Sequence, residues 1–375
     1  MLKFFHQAKN FHPALLDEVH PMIPTRQLLL TLSLVAAAST AKADPYDLEF
    51  LMGSTLYEQA VFANTYVVAG AGPSAALAAV AGHETVYGDI LANGYVTLGA
   101  SSTVTGSVQT GSNLTTGASA AVAGNTLAVG ATTFGASSVV AGSVLSGGII
   151  TLGASSDITG NVQSGSAIVN EAGATSGTQI LKITEPAVAD LHQSVGSAQI
   201  ALDALTGGTA LVASNAVNSV TLTAGIYDVT GSMAVAADQT ITLDAQGQDS
   251  VFIFNVSDYL VFGAGVDVVV ANGTDKTRVI WNATGNYVSI GAGTNIIGTI
   301  LAHEYIVTGA ASTVRGAGDS CGGVYSATSY VSIGAASTIG TSGPCGAAAP
   351  PADYSNPADP PPVFAAADVR SSGFM

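Results

Sequence analysis

Four threonines, Thr97, Thr115, Thr133 and Thr151, stand 18 residues apart along one stretch of the chain. A second set, Ser107, Asn125, Ser143 and Asn161, keeps the same spacing, and a later stretch adds Thr299 to it and places Ser289 and Ser332 at the threonine position. These side chains offer hydroxyls, amides and methyls, but no acid, base or metal-binding group. Threonine χ1 is restricted, so a straight file of threonines presents hydroxyl and methyl groups in fixed places at little entropic cost. The competing reading is that outward Thr and Ser are ordinary solvated strand residues, favoured by β propensity.

Groups suited to covalent or metal chemistry are sparse. Gly318-Asp319-Ser320-Cys321-Gly322 fits the Gly-x-Ser-x-Gly pattern of a nucleophile elbow, but no strand-to-helix context surrounds it and no histidine follows it. His83, His192 and His303 are far apart and form no cluster with metal-ligand spacing. Asp244, Asp249 and Asp275 sit in turn-like text without an EF-hand loop or a Gly-Gly-x-Gly-x-Asp repeat. Polysaccharide lyases and hydrolases built as β-helices need grouped carboxylates or a basic residue in a groove, and no such group is evident. The expectation is a protein that is not an enzyme, with no catalytic residue, metal or cofactor.

The elements that must position the polar files are coils of a repeat. Each threonine lies in a copy of one pattern: Val96-Thr97-Leu98-Gly99-Ala100-Ser101, then Leu114 to Ser119, Thr132 to Ser137 and Ile150 to Ser155. Five residues after each leading glycine stands Val104, Val122, Val140 or Ile158, an inside-outside alternation that belongs to strands. The register extends back to about residue 78 and returns as Val288 to Ala292, Ile306 to Ala310 and Val331 to Ala335. A gap of 25 before the last copy predicts a protruding loop around Cys321. A fixed period of this length predicts a right-handed β-solenoid of about 18 residues per coil with a triangular cross-section, three short strands being separated by Gly/Ala/Ser corners.

Between the two repeat stretches a helix is expected over about 185–206, with Thr184 as N-cap, Pro186 in the first turn and Gly207-Gly208 as the stop. Its stripe of Val188, Leu191, Val195, Ala198, Leu202 and Leu205 should pack alongside one solenoid face. Val217 to Val270 is strand-rich but less periodic. The only two cysteines, Cys321 and Cys345, flank the last coil and are expected to form a disulfide. Closing that loop would contribute about 3 kcal/mol in the chain-entropy model. Two free buried thiols are the alternative.

Charged residues are 9% of the chain, against roughly 25% in ordinary domains, and the net charge is −16. Nucleic acid and anionic membrane surfaces are therefore excluded as partners, and a monomer is expected. Residues 1–43 read as a signal region with Met22 as its start: Arg26, an apolar stretch from Leu28 to Val35, and Ala41-Lys42-Ala43 before Asp44. Residues 44–345 make one domain, and 346–375 a disordered Pro/Ala-rich tail. The expected location is extracellular or periplasmic.

Several motifs occur in order over roughly residues 60 to 342. They are Gly88-Asp89-Ile90; the central helix; Leu222-Thr223-Ala224-Gly225-Ile226-Tyr227; Leu243-Asp244-Ala245-Gln246-Gly247 followed by Phe252-Ile253-Phe254; and Arg278-Val279-Ile280-Trp281 leading into Val288 to Ala302. Together they resemble the secreted ice-binding (antifreeze) proteins built as a discontinuous β-solenoid with a helix alongside. The resemblance implies N-terminal and C-terminal coils assembled into one stack, and adsorption to an ice crystal through a flat face of Thr and other small residues. It carries over no residue by motif. The candidate ice-binding residues are the two files: Thr97, Thr115, Thr133, Thr151, Ser289 and Ser332; and Ser107, Asn125, Ser143, Asn161 and Thr299. A structural or adhesive β-solenoid exoprotein without ice activity is the alternative.

Overall fold

A computed structural model of the chain describes residues 59–70, 85–181, 192–205, 207–211 and 218–340, together with Pro186 and Val188. The signal region, the tail, Cys345, His83 and the Thr184 cap lie outside the described residues. Among the described residues, thirty-six strands form three parallel sheets of thirteen, eleven and twelve, called here the first, second and third. Successive strands of a coil go to different sheets, as Val108–Thr110 to the first, Leu114–Thr116 to the second and Ala121–Val122 to the third. In the N-terminal stretch, facing residues are 18 apart in the chain, as in Gln109 with Leu127 and Thr97 with Thr115.

Corner chemistry explains the Gly-Ala-Ser text. Ser101, Ser119, Ser137 and Ser155 adopt the left-handed conformation, with φ of 57–61°. They turn the chain from the second sheet to the third, in a backbone region that disfavours large or β-branched side chains. The leading glycine meets a different demand, since a Cβ on Gly135 would stand 2.5 Å from the Gly117 carbonyl carbon of the coil before it. The coils stack too closely there for any side chain.

The stack is not in chain order. Val67–Ala69 pairs on one side with Val96–Leu98 and on the other with Val331–Ile333. The same joint appears in the other two sheets, where Val61 faces Val324 and Thr85 faces Thr338. The chain therefore enters mid-stack, coils outward to Leu181, resumes at the opposite end with Thr209–Leu211, and coils back to meet its own first coil. Among the described residues the strands thus begin at Gln59, earlier than the period predicts. Val67 and Val96 are 29 residues apart, and the longer connection hides the first coil from a search at 18.

Coils at the C-terminal end of the stack are wider. Tyr227 faces Phe254 across 27 residues, and Leu260 faces Val288 across 28. A longer perimeter encloses more interior, which aromatics fill: Tyr227 stacks on Phe254, and Phe254 on Trp281, with ring centroids 5.1 and 4.1 Å apart. Trp281 is fully buried, and its indole N–H donates to the Ile297 carbonyl at 2.9 Å. The 18-residue coils are filled mainly by Val, Ile and Leu.

One helix, α1 (His192–Asp203), is described; it begins later in the chain than the expected 185. Val195, Ala198 and Leu202 pack on Phe62, Leu91, Ile253, Ile280, Leu301 and Tyr325, which point outward from the first sheet. Asn255 Nδ2 donates to the Leu202 carbonyl, and Asn282 Nδ2 to that of Gln199, so polar groups under the helix also pin it. The seven-residue insertion does not stand free of the barrel. Asp319 N–H donates to the Asp275 carbonyl and its carboxylate pairs with Arg278, folding the segment against the preceding corner. Cys321 is disulfide-bonded.

Candidate binding face

The second sheet carries the predicted threonine file. Thr151 faces Thr133, Thr133 faces Thr115, and Thr115 faces Thr97, at the outward central position of successive strands. The mid-stack joint then continues the file through Val68 to Ser332, Val307 and Ser289. Neighbouring strands lie about 4.8 Å apart, so these residues form one nearly straight row. Thr115 and Thr133 are exposed, and the others in the row are half-buried. Val169 extends the row at one end, Val261 and Ala234 at the other, and no residue in it is charged. The sequence reading placed the Thr and Ser members but missed Val68, which joins the two stretches only because the first and last coils touch.

A row of tyrosines runs parallel to it. Tyr95, Tyr66, Tyr330, Tyr305, Tyr287 and Tyr259 stack in that order, with centroids 4.7–5.3 Å apart and planes within 6°. Each stands two residues before a member of the central row, hence on the same side of the sheet. Desolvation, and then the neighbouring phenols Tyr95 and Tyr330, raise the Tyr66 pKa above its ordinary value. Desolvation also raises that of Tyr305, followed by Tyr287, Tyr330 and Glu304. These two hydroxyls are therefore neutral across the ordinary pH range. A sequence signal was available, a tyrosine immediately before the first apolar residue of each such strand, but it is scattered over three separate stretches.

The Ser/Asn file is a correction. Ser107, Asn125 and Ser143 are only 7–8% exposed. Asn125 N–H donates to Ser107 Oγ at 3.2 Å, Ser143 N–H to Asn125 Oδ1 at 2.8 Å, and Asn161 N–H to Ser143 Oγ at 3.1 Å. The file is a corner ladder whose side chains satisfy the backbone of the next coil, which leaves no outward array for a ligand. Thr299 is buried as well, in the strand whose Leu301 lies under α1.

The third sheet holds a threonine file that periodicity did not reveal: Thr103, Thr85, Thr338 and Thr313 face one another across the mid-stack joint. Charges interrupt that sheet on both sides, with Asp157 toward one end and Arg315 and Asp267 toward the other. Ser320 of the Gly-x-Ser-x-Gly match is buried, and its hydroxyl donates to the Ala317 carbonyl while accepting from the Ala317 N–H at 2.9 Å.

With α1 on the first sheet and charges on the third, the second sheet is the broad uncharged surface. Residues 172–339 match a family model described as Ice-binding-like. These residues fit the ice-binding-like family. Ice-binding protein 1 of Shewanella frigidimarina is 35% identical over 100 residues, which make up 26% of this chain and 11% of that protein, so the chain spans about a tenth of this relative's length. A crystal structure of an ice binding protein from an Antarctic biological consortium is 17% identical, with a TM-score of 0.44, over 80% of this chain and 93% of the other. The domain of Shewanella frigidimarina ice-binding protein 1 is 16% identical, with a TM-score of 0.43, over 77% and 95%. The ice-binding-like match starts near the last N-terminal coil, so Thr97, Thr115, Thr133 and Thr151 lie before it.

Proposed function

We propose that the protein adsorbs to ice through the outer face of the second sheet and performs no catalysis. The observation that carries this reading is the uncharged row from Thr151 to Ser289 on a face that α1 leaves open, in a chain whose C-terminal half fits the ice-binding-like family. A charged side chain would keep its own hydration shell, whereas stiff hydroxyl and methyl groups let water order against a regular lattice. Export is part of the proposal: Arg26, the Leu28 to Val35 stretch and Ala41-Lys42-Ala43 support a cleaved signal. Among the described residues no helix is long and apolar enough to cross a membrane. We also read Cys345 as the partner of Cys321, since the chain has two cysteines.

Thermal hysteresis with ice-crystal shaping tests the reading. The protein should open a freezing gap with faceted crystals, and Thr115→Arg should abolish it without unfolding the chain. Thr338→Arg, on the third sheet, should leave it intact. Loss with Thr338→Arg and retention with Thr115→Arg would move the site to the third sheet. No gap from folded protein would reject ice adsorption.

A further inference from the structure

We infer that the tyrosine column is part of the ice-contacting surface and carries the hydroxyl array onward where the threonine file ends. The inference rests on the ice-adsorption reading. Three observations support it. The column lies on the same uncharged side of the second sheet as the threonines, one pleat repeat away, so both rows can meet a single flat partner. It begins beside Thr97 with Tyr95 and runs beside Val68, Val307 and Val261, where the central row has lost its hydroxyls. Among the described residues none of the six phenol hydroxyls has a hydrogen-bond partner, whereas those of Tyr227 and Tyr325, inside the molecule, each donate to a backbone carbonyl, of Thr223 and of Gln59.

The stacking geometry decides what kind of ligand the column suits. Rings held face to face within 6° conceal their faces and turn their edges outward. Among the described residues only the end rings, Tyr95 and Tyr259, have a face without an aromatic neighbour, so the column offers a stacking sugar no continuous platform. What remains is a ladder of hydroxyls at strand spacing, on rings with little rotamer freedom left to lose on binding.

Tyrosine-to-phenylalanine changes separate the hydroxyls from the stack, because phenylalanine keeps the ring. In the full chain, Tyr66→Phe, Tyr330→Phe and Tyr305→Phe together remove three of the six hydroxyls. With the six Thr and Ser hydroxyls of the central row untouched, thermal hysteresis at equal concentration should fall by about a quarter, in proportion to the hydroxyls removed from the two rows, with the melting temperature little changed. Should the triple variant unfold, Tyr330→Phe with Tyr305→Phe gives the same comparison, with a loss of about one sixth expected on the same proportion. Undiminished hysteresis in the phenylalanine variants, where Thr115→Arg abolishes it, overturns the role of the column and leaves the threonine face standing. A wild-type protein with no hysteresis overturns both.

Discussion

At the scale of single residues, the corners of this solenoid set two opposite demands two residues apart. Gly135 must lack a Cβ, because one would meet the Gly117 carbonyl carbon at 2.5 Å and its oxygen at 2.6 Å. Both contacts are backbone, which cannot rotate away. Gly135→Ala should therefore cost about 1–3 kcal/mol, the ordinary range for overpacking, read as a lower denaturation midpoint. Ser137 poses the reverse case, since its φ of 57° strains a residue whose side chain is exposed. Ser137→Gly removes a left-handed penalty of about 1–2 kcal/mol and adds about 0.5–1 kcal/mol of unfolded-chain entropy. The net should be a gain of about 0.5–1 kcal/mol, so the two glycine–side chain exchanges at one corner should move the midpoint in opposite directions. Equal effects would mean that the corner is set by something other than these contacts.

At the scale of elements, α1 is held by its buried stripe. Leu202 is fully buried against the first sheet, and its carbonyl accepts from Asn255. Leu202→Ala should cost about 2–5 kcal/mol by denaturant titration, since the sheet beneath is too rigid to close the cavity. This stripe was legible in the sequence because 3.6-residue periodicity is local, and so were the strands of the 18-residue coils and the Thr97 to Thr151 file. Three features were not legible, each for a physical reason. The Ser/Asn file has the same period as the threonine file, and period alone does not tell an outward side chain from one that turns back to cap the next coil's N–H groups. The wider coils at Gly225–Val229 and Val251–Val256 do not repeat at 18, because aromatic filling has changed their perimeter. The tyrosine column and the Thr103–Thr313 file require contacts between residues more than 200 apart, and no local pattern announces those.

For the whole molecule, the order of assembly sets where the stack is strong. In a solenoid each coil touches only its neighbours, so end coils open first and central coils last. Ordinarily the end coils are also the ends of the folded chain. Here Gln59–Ala63 and Gly323–Ser326 are the first and last strands of their sheet in chain order, yet they lie side by side near the middle of the thirteen strands. The coils at the stack's ends come from mid-chain, at Gln179–Leu181 and Thr209–Leu211. Hydrogen exchange followed by mass spectrometry should therefore give a profile inverted along the sequence. Peptides spanning 59–69 and 323–339 should be among the slowest to exchange, and those covering 168–181 and 209–223 the fastest. Both rows of the proposed ice face cross this joint, so its protected amides would lie beneath Val68, Ser332, Tyr66 and Tyr330. A rigid array is of most use where the fold opens least, and fast exchange at 59–69 would remove the physical basis for placing the face across the joint.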